Sequence, residues 1–283
     1  MVKKIILKKV RKMKGIILAG GSGSRLYPIT NYTSKHLIPV YNKPMIYYPL
    51  STLMLAGVKD ILIICKSIDL NNFKKLFGNG SYLGIKIKFE IQKKPSGIAE
   101  ALKIGKSFIK KSDVYLILGD NIFYGAGLQN YFETIQNNRD KSYIFGSYVK
   151  NPQEFGIVNK LKNRLKITEK PKKPKSNIAI TGLYFYPNNC LKYVSNLKRS
   201  KRGELEITSF NNALIKKNSL DYINLGFGIT WFDLGTFSNL YECSEFVKLQ
   251  ESRKGIQISK IFNDYESFEK GERFSKRRFV FSN

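Results

Sequence analysis

The chain has 283 residues, of which 42% are hydrophobic, so it is long and apolar enough to bury a core and is not intrinsically disordered. No apolar run reaches the about 18 residues that a membrane span needs, and we expect no membrane partner. The three cysteines lie far apart in the sequence, which excludes a disulfide scaffold and a zinc finger and predicts a reducing, cytoplasmic location.

The chain is strongly basic, since 49 Lys and Arg against 21 Asp and Glu give a net charge of +28. Such a charge alone would indicate a nucleic acid or an anionic membrane as partner. However, 39 of the cations are lysines, and they are spread along the whole chain, which indicates a biased composition rather than a dedicated binding face. We therefore expect loose binding of polyanions at low salt and no specific nucleic-acid partner.

Residues 1–12 are basic, and their apolar part is shorter than a signal-peptide core, so we interpret them as an N-terminal extension. From residue 13 onward, strand and helix patterns alternate. Strands are predicted at 15–19, 60–65, 86–92 and 114–118, and helices at 45–56, 71–77 and 98–109. Strands joined by helices of this length predict a parallel sheet with right-handed crossovers.

After residue 140 the pattern changes to strands with few helices between them. Strands are predicted at 143–149, 155–161, 165–169, 178–186, 221–225 and 230–232, and helices at 206–217 and 237–249. The lysine-rich stretch 170–175 contains two prolines and is predicted to be a solvated loop. The sequence shows no internal repeat.

A glycine-rich turn follows the first predicted strand. Gly20, Gly21 and Gly23 would let backbone N–H groups approach a phosphate, and Arg25 adds a positive charge. The turn is not a P-loop, because no GK[ST] follows, and it is a poor dinucleotide fingerprint, because Leu26 stands at the third glycine position. A plain strand-to-loop turn is the alternative interpretation.

Three charged residues elsewhere suit a triphosphate substrate. Lys35 could join the glycine-rich turn in clamping the phosphates and in stabilising charge as pyrophosphate leaves. Asp120 and Asp233 each follow an apolar strand and could together hold one Mg²⁺, which needs only one or two protein carboxylates. A strand-ending turn explains Asp120 as well, and a helix N-cap explains Asp233. His36 is the single histidine, so we expect it to be structural rather than catalytic.

Seven segments of the sequence together resemble the bacterial glucose-1-phosphate thymidylyltransferases. They are GIILAGGSGSRLYPIT, SKHLIPVYNKPMIYYPLSTLMLAG, LGDNIFYG, TEKPKKPKSN, ITGLYFY, RGELEIT and WFDLGT, and they follow the order and spacing of that family over residues 13–255. The related uridylyl, guanylyl and adenylyl transferases share the glycine loop and a lysine. They lack the YNKPMIYYPLSTLMLAG and RGELEIT stretches in this form, which makes the resemblance specific.

The resemblance implies an α/β fold with a Rossmann-like, mostly parallel sheet flanked by helices and a strand-rich second half that binds the sugar phosphate. It implies a nucleotidyltransferase domain at 13–255, whose nucleotide-binding half runs to about residue 140, between the extension 1–12 and a divergent, shortened C-terminal tail at 256–283. The implied reaction is the Mg²⁺-dependent conversion of dTTP and glucose 1-phosphate into dTDP-glucose and pyrophosphate, a first step toward dTDP-rhamnose and related deoxysugars.

The resemblance also implies a role for each candidate residue. The catalytic residues would be Arg25, Lys35 and Asp120. The nucleotide would be bound by Gly20, Gly21, Gly23, Ser24, Arg25, Lys35, His36, Gln92, Gly97 and Asp120. The sugar phosphate would be bound by Gly156, Glu169, Lys170, Ile180 and Arg202, and Mg²⁺ by Asp120 and Asp233.

Two of these residues would select the base. The Gln92 amide, which can both donate and accept hydrogen bonds, would read the thymine edge beside the bare backbone of Gly97. No general base is needed in the implied reaction, because the attacking sugar phosphate is already an anion. Catalysis would then consist of positioning and charge neutralisation at the α-phosphate.

The chain departs from the family at several positions. His36 stands where Gln is usual, Phe155 where Tyr is usual, and Asn159 where Glu is usual. The tail 256–283 departs as well. The resemblance implies a homotetramer and feedback control by a dTDP-sugar, both of which the family builds with the segment that is altered here.

Three alternatives stay open at this point. The enzyme could use another nucleotide such as UTP. It could be a catalytically decayed homologue, as the altered C-terminal tail suggests. It could also be a basic nucleic-acid-binding protein, which would need its cations on one face with aromatic side chains between them.

Overall fold

The computed structural model of the protein describes residues 11–161, 164–255 and 257–259. The strands are β1 Met13–Ala19, β2 Pro39–Val40, β3 Lys43–Pro44, β4 Asp60–Cys65, β5 Lys86–Ile91, β6 Asp113–Leu118, β7 Asn121–Tyr124, β8 Ser142–Tyr148, β9 Gly156–Leu161, β10 Arg164–Glu169, β11 Ile178–Tyr186, β12 Leu220–Asn224 and β13 Thr230–Asp233. The α-helices are α1 Tyr47–Leu55, α2 Leu70–Phe77, α3 Glu100–Ile104, α4 Lys106–Ile109, α5 Leu128–Asn137, α6 Ile207–Lys216 and α7 Phe237–Lys254. The extension 1–12 and the tail 256–283 therefore lie almost entirely outside the described residues.

Nine of the strands form one mixed sheet. β5, β4, β1 and β6 lie side by side in parallel. β11 adds antiparallel to β6, β8 pairs with the other side of β11, and β12 runs parallel to β8. The hairpin of β9 and β10 also joins β11. This sheet, with helices on both faces, confirms the predicted α/β fold.

Both faces of the sheet are buried at its central strands, as a sheet covered by crossover helices requires, whereas the edge strand β5 exposes one face. Neighbouring side chains of a strand point to opposite faces, and Ile16 and Ile17 of β1 are both completely buried. Ile17 packs in a cluster with side chains of α1, α2 and α5, whereas Ile16 packs with those of α3, α4 and α6. Among the described residues, no helix is both long and apolar enough to cross a membrane.

Most predicted elements occur within one to three residues of their expected bounds, and the differences have local causes. The helix predicted at 98–109 is broken into α3 and α4 at Gly105, where a Cβ atom would lie 2.6 Å from Cδ1 of Ile16. β7 and α5 were not predicted, because α5 is polar along most of its length and β7 follows β6 after only two residues. α7 runs to Lys254, five residues beyond its predicted end.

A buried ionic cluster holds the start of β6. Asp113 is completely buried, and one of its carboxylate oxygens accepts a hydrogen bond from the backbone N–H of Asn188 at 3.0 Å. The other oxygen lies 2.8 Å from Nη2 of Arg139 and 3.4 Å from Nε of Arg11. Because a buried carboxylate without a cation is costly, this cluster stabilises the fold through charge compensation.

We expect Arg139→Met to lower the free energy of unfolding by about 3 kcal/mol, since it leaves a buried carboxylate with only the half-buried Arg11 as its cation. Asp113→Asn in the same chain should restore part of that loss, because it removes the uncompensated charge. Urea unfolding measures both changes. The matched control is Lys141→Met, which breaks an exposed pair with Asp221 and should cost less than about 1 kcal/mol. Equal losses for the two Met variants would contradict the assignment.

Candidate active site

A cavity of about 460 Å³ opens at the carboxyl ends of β1, β5 and β6. Ligands of open α/β sheets bind at this edge, because the loops that leave parallel strands converge there. Ten of the residues singled out in the sequence line the cavity. They are Gly21, Arg25, Gln92, Gly97, Gly156, Glu169, Lys170, Ile180, Arg202 and Asp233. The cavity thus joins residues from both sides of the pattern change at residue 140.

Six of the predicted site residues do not line this cavity: Gly20, Gly23, Ser24, Lys35, His36 and Asp120. Three of them contact or directly precede residues that do: Gly20 lies against the Gln92 side chain, Ser24 precedes Arg25, and Asp120 precedes Asn121. Lys35 is paired with Asp120, one residue further from the cavity. Ser24 is exposed at the start of a short 3₁₀ turn, Ser24–Leu26, on the same loop as Arg25.

The two candidate metal ligands are brought together by the small antiparallel sheet of β7 and β13. In its register Asp233 is opposite Asn121, the residue after Asp120. The backbone N–H of Leu234 also donates to the carbonyl oxygen of Asp120 at 3.0 Å. Residues 113 positions apart in sequence are therefore neighbours at the edge of the cavity.

The two carboxyl groups titrate in opposite directions. Burial alone would raise the pKa of Asp120, but the charge of Lys35, that of His36 in the acid range where His36 is protonated, and hydrogen bonds from Lys35 and Asn121 outweigh it and lower the pKa. The pKa of Asp233 is raised to about 6 by burial and by the Asp120 charge, although nearby cations oppose this shift. One carboxylate is thus paired and the other is held beside it with its charge incompletely compensated.

This donor set fits a divalent cation. Within the described residues, the Asp233 carboxylate receives no hydrogen bond and makes no ion pair, so its oxygens are available to a ligand. Two neighbouring, partly exposed carboxylates are suited to Mg²⁺, which takes one or two protein carboxylates and completes its shell with water and substrate phosphates. The part of the chain that the structure describes contains no cluster of three or more His, Cys, Asp or Glu side chains suited to a metal.

Asn121 connects the Asp120 carboxylate to the cavity wall, and sequence analysis did not single it out. Its Nδ2 atom donates to Oδ1 of Asp120 at 3.0 Å, and its Oδ1 atom accepts from the Gly182 backbone at 2.8 Å and from Nε1 of Trp231 at 2.6 Å. Both Asn121 and Trp231 line the cavity. The LGDN and WFD segments contain them, so their position beside the aspartates was the available signal.

The Arg25 guanidinium lies against Gly235, two residues after Asp233. A Cβ atom at Gly235 would stand 2.3 Å from Nη2 and 2.7 Å from Cζ of Arg25. A glycine at this position therefore leaves the space that the guanidinium occupies. Arg25 is exposed and lines the cavity, so its charge is available to an anionic ligand next to the carboxylate pair.

Gln92 is 4% exposed, and its amide has a defined orientation. Nε2 donates to Oε2 of Glu100 at 3.0 Å, whereas Oε1 lies against Gly20, where a Cβ atom would approach it to 2.3 Å. We expected both halves of this amide to face the base, but the donor half is used inside the protein. Gly97 has φ +98°, and a Cβ there would lie 2.4 Å from the backbone oxygen of Leu205, so a close crossing of two loops explains this glycine.

The second half of the chain forms the opposite wall. Gly156 and Glu169 are directly opposite in the β9–β10 hairpin, and Oγ1 of Thr208 donates to Oε2 of Glu169 at 2.6 Å. Lys170 has φ +40°, a backbone conformation that non-glycine residues rarely adopt and that is concentrated at functional sites. Arg202 is paired with Glu206 at 2.9 Å. The cations Lys170 and Arg202 are thus grouped on this wall with four carboxylates, those of Glu154, Glu169, Glu204 and Glu206.

His36 is buried behind the site rather than in it. Its ring lies against Gly119, where a Cβ atom would stand 2.6 Å from Cδ2. Burial lowers the pKa of His36 to about 4, with the nearby charge of Lys35 adding to the effect and that of Asp120 opposing it. The imidazole is therefore neutral at pH 7 and adds no charge to the site.

Comparison with known proteins identifies the family of the chain. A profile of the nucleotidyl transferase family matches residues 14–250. A glucose-1-phosphate thymidylyltransferase of Neisseria meningitidis is 48% identical over 87% of this chain and 86% of its own length, and one of Mycobacterium tuberculosis is 46% identical over the same shares.

Two solved structures share the fold. One described as a glucose-1-phosphate thymidylyltransferase of Bacillus anthracis, in complex with sucrose, has a TM-score of 0.77 and 39% identity and covers 83% of this chain and 94% of its own. A UDP-glucose pyrophosphorylase with UDP-glucose has a TM-score of 0.74 at 20% identity, over 84% of this chain and 99% of its own, and shows the fold alone. From the family profile and the identity to its relatives, the chain belongs to the nucleotidyl transferase family and, within it, to the glucose-1-phosphate thymidylyltransferases.

Proposed function

We propose that the protein transfers a thymidylyl group from dTTP to glucose 1-phosphate and releases pyrophosphate. The observation that carries this proposal is one cavity that joins a glycine-rich turn with Arg25 on one wall to Lys170 and Arg202 on the other, next to the Asp120–Asp233 pair. Two anionic substrates can meet there only if both walls supply positive charge. The relatives named above are enzymes of this reaction.

The nucleotide side positions the triphosphate. The loop from Gly20 to Arg25 offers backbone N–H groups to its oxygens, and the guanidinium of Arg25 stabilises the negative charge that grows on pyrophosphate as it leaves. Lys35 is buried next to this loop and paired with Asp120, and it would be the second cation near the phosphates. The residues therefore act by orientation and charge compensation, which is what phosphoryl and nucleotidyl transfer require.

The sugar-phosphate side presents the nucleophile. Glu169 accepts a hydrogen bond from Thr208 and has a second oxygen for sugar hydroxyls, while Lys170 and Arg202 bind the phosphate as cations. A phosphate oxygen of the sugar then attacks the α-phosphorus of dTTP, and the bond to the β-phosphate oxygen breaks. No proton must be removed from the nucleophile, since it is already an anion, so the site needs no general base.

Asp120 and Asp233 would hold the divalent cation, which we propose to be Mg²⁺. When bound, Mg²⁺ neutralises phosphate charge and fixes the geometry of the reacting groups. Asp120 is oriented for this role by Asn121, and Asp233 by the pairing of β13 with β7.

Base selection would depend on the Oε1 atom of Gln92. Thymine and uracil present an N3–H donor to such an acceptor, whereas cytosine presents an acceptor at N3. A base that leaves the polar groups of the site unpaired is strongly disfavoured. A base that lacks only the methyl group of thymine loses about 1–3 kcal/mol of binding free energy. The site would therefore accept UTP as well, with lower efficiency than dTTP, because Oε1 of Gln92 makes the same contact with both bases.

The remaining expectations stay proposals. We propose a homo-oligomer, a cytoplasmic location and the division of the chain into a nucleotide half and a sugar-phosphate half near residue 140. The last is supported by the cavity walls, since Gly21, Arg25 and Gln92 come from one half and Glu169, Lys170 and Arg202 from the other.

A decayed homologue is distinguished by an assay of pyrophosphate release from dTTP and glucose 1-phosphate. A dedicated nucleic-acid-binding protein would not show that activity at moderate salt.

The carboxylate pair should be required for activity. We expect Asp120→Asn and Asp233→Asn each to reduce turnover by about a hundredfold or more, because the substrate phosphates lose the neutralising cation. Thermal unfolding should show an intact fold, and calorimetry should show weaker Mg²⁺ binding in both variants. Asp60→Asn, at the half-buried start of β4, is the control. Full activity of either site variant at limiting Mg²⁺ would refute the pairing.

Arg25 should act on the transition state, and Gly235 should make room for it. Arg25→Ala should lower kcat more than it raises KM for dTTP, and Arg25→Lys should rescue poorly because the planar fork is lost. Gly235→Ala should have a similar effect, because its methyl group would occupy the guanidinium position. Gly228→Ala is the matched control, since a Cβ there meets no atom within 4 Å. A change confined to KM for dTTP would contradict the transition-state role.

The ratio of kcat/KM values should rank dTTP first, UTP second and CTP last. UTP lacks only a methyl group, whereas the cytosine of CTP places the acceptor N3 opposite Oε1 of Gln92, which is also an acceptor. Gln92→Glu should weaken dTTP use, because it replaces the donor to Glu100 by a second carboxylate. Steady-state assays with each nucleotide in both proteins measure this. A native enzyme that used CTP as well as dTTP would remove Gln92 from base recognition.

A further inference from the structure

We propose that Glu100 is the positioning residue that determines which base the site accepts, by fixing the orientation of the Gln92 amide. This inference rests on the proposed role of Gln92 in base recognition. Glu100 is the first residue of α3, and its side chain is 18% exposed. It would not contact the nucleotide itself; its effect would be transmitted through Gln92 alone.

The Glu100 carboxylate permits only one orientation of its neighbour. A carboxylate accepts hydrogen bonds and donates none, so Gln92 can pair with it only through Nε2, as the 3.0 Å contact to Oε2 shows. The reversed amide would place its carbonyl oxygen against a carboxylate oxygen, which is repulsive. The other oxygen, Oε1 of Glu100, is 3.3 Å from Nη2 of Arg199, which holds the carboxylate from the opposite side.

With Nε2 engaged, the Gln92 carbonyl oxygen is the free half of the amide. Oε1 lies against Gly20, whose lack of a side chain leaves space for it, and receives no hydrogen bond from any residue that the structure describes. Gln92 lines the cavity, so the site presents an acceptor at this point. Thymine and uracil offer their N3–H to an acceptor. Cytosine would match only the reversed amide.

The side chain at position 100 therefore determines whether the site prefers bases with N3–H or cytosine. A carboxylate here favours bases with N3–H. An amide at position 100 could pair with Gln92 in either direction, because two amides can reverse together. The exposed Arg199 would favour the reversed pair, because it would donate to the carbonyl oxygen of an amide at position 100. The NH₂ group of that amide would then face Gln92.

The test compares the isosteric variant Glu100→Gln with the native protein. We expect its dTTP/CTP ratio of kcat/KM to fall about tenfold, mainly through a gain for CTP, while the dTTP/UTP ratio stays constant because both bases carry N3–H. Dissociation constants of dTTP, UTP and CTP, measured by calorimetry, should follow the same pattern. If Glu100 has only a structural role, Glu100→Gln should weaken the binding of all three nucleotides to the same extent and leave the ratios unchanged.

Two further variants separate the possible failures. Arg199→Ala removes an exposed charge from the same cluster and keeps the Gln92–Glu100 bond, so its ratios should stay within twofold of native. In Gln92→Ala the dTTP/CTP ratio should fall, and adding Glu100→Gln should change it no further.

The outcomes are distinguishable. If Gln92→Ala lowers the ratio but Glu100→Gln does not, the positioning role is wrong and Gln92 keeps its assignment. If Gln92→Ala leaves the ratio unchanged, the proposed role of Gln92 fails and the positioning role fails with it. If the native protein releases no pyrophosphate from dTTP, the proposed function fails, and the dissociation constants still decide whether Glu100 directs base preference.

Discussion

The pairing of β7 with β13 is the contact on which the active site depends. It is a short antiparallel ladder at the edge of the main sheet, and its register sets Asp233 beside Asp120. Without it, two carboxylates from distant parts of the chain would have no reason to meet. The Asn121 amide reinforces the ladder, since it bonds to Asp120, to β11 and to the Trp231 indole. A shift of one residue would turn Asp233 to the opposite face and separate the pair.

The charges of the site are arranged so that each is compensated within the protein or left available to a substrate. Asp120 is paired with Lys35, and Arg202 with Glu206, so these four residues are stable without a ligand. Asp233 is one of the groups left available, and its pKa is raised by desolvation and by the neighbouring Asp120 charge. Such incompletely compensated groups are concentrated where ligands bind, because there a ligand supplies the missing charge.

The sheet and most helices could be predicted from the sequence, because runs such as β4 are continuous apolar segments bounded by clear turns. The candidate residues followed mainly from the family resemblance, since a glycine turn, one lysine and two aspartates have ordinary alternative explanations. Sequence could not indicate contacts that arise only from folding. The Gln92–Glu100 bond spans eight residues across a loop, and the glycine at 235 is explained by an arginine 210 positions away. Local sequence patterns do not show which residues distant in sequence come into contact after folding.

The crossing of the loops around Gly97 and Leu205 couples two walls of the cavity mechanically. The backbone of Ser96 accepts from Leu205, that of Leu205 accepts from Ala99, and no side chain fits between the strands of this crossing. The loop that contains Gly97 and the segment before α6 are therefore held together through their backbones, and both line the cavity. A substitution that shifts residues 202–206 should also move the Gly97 loop, so a change on one wall of the cavity would be transmitted to the other.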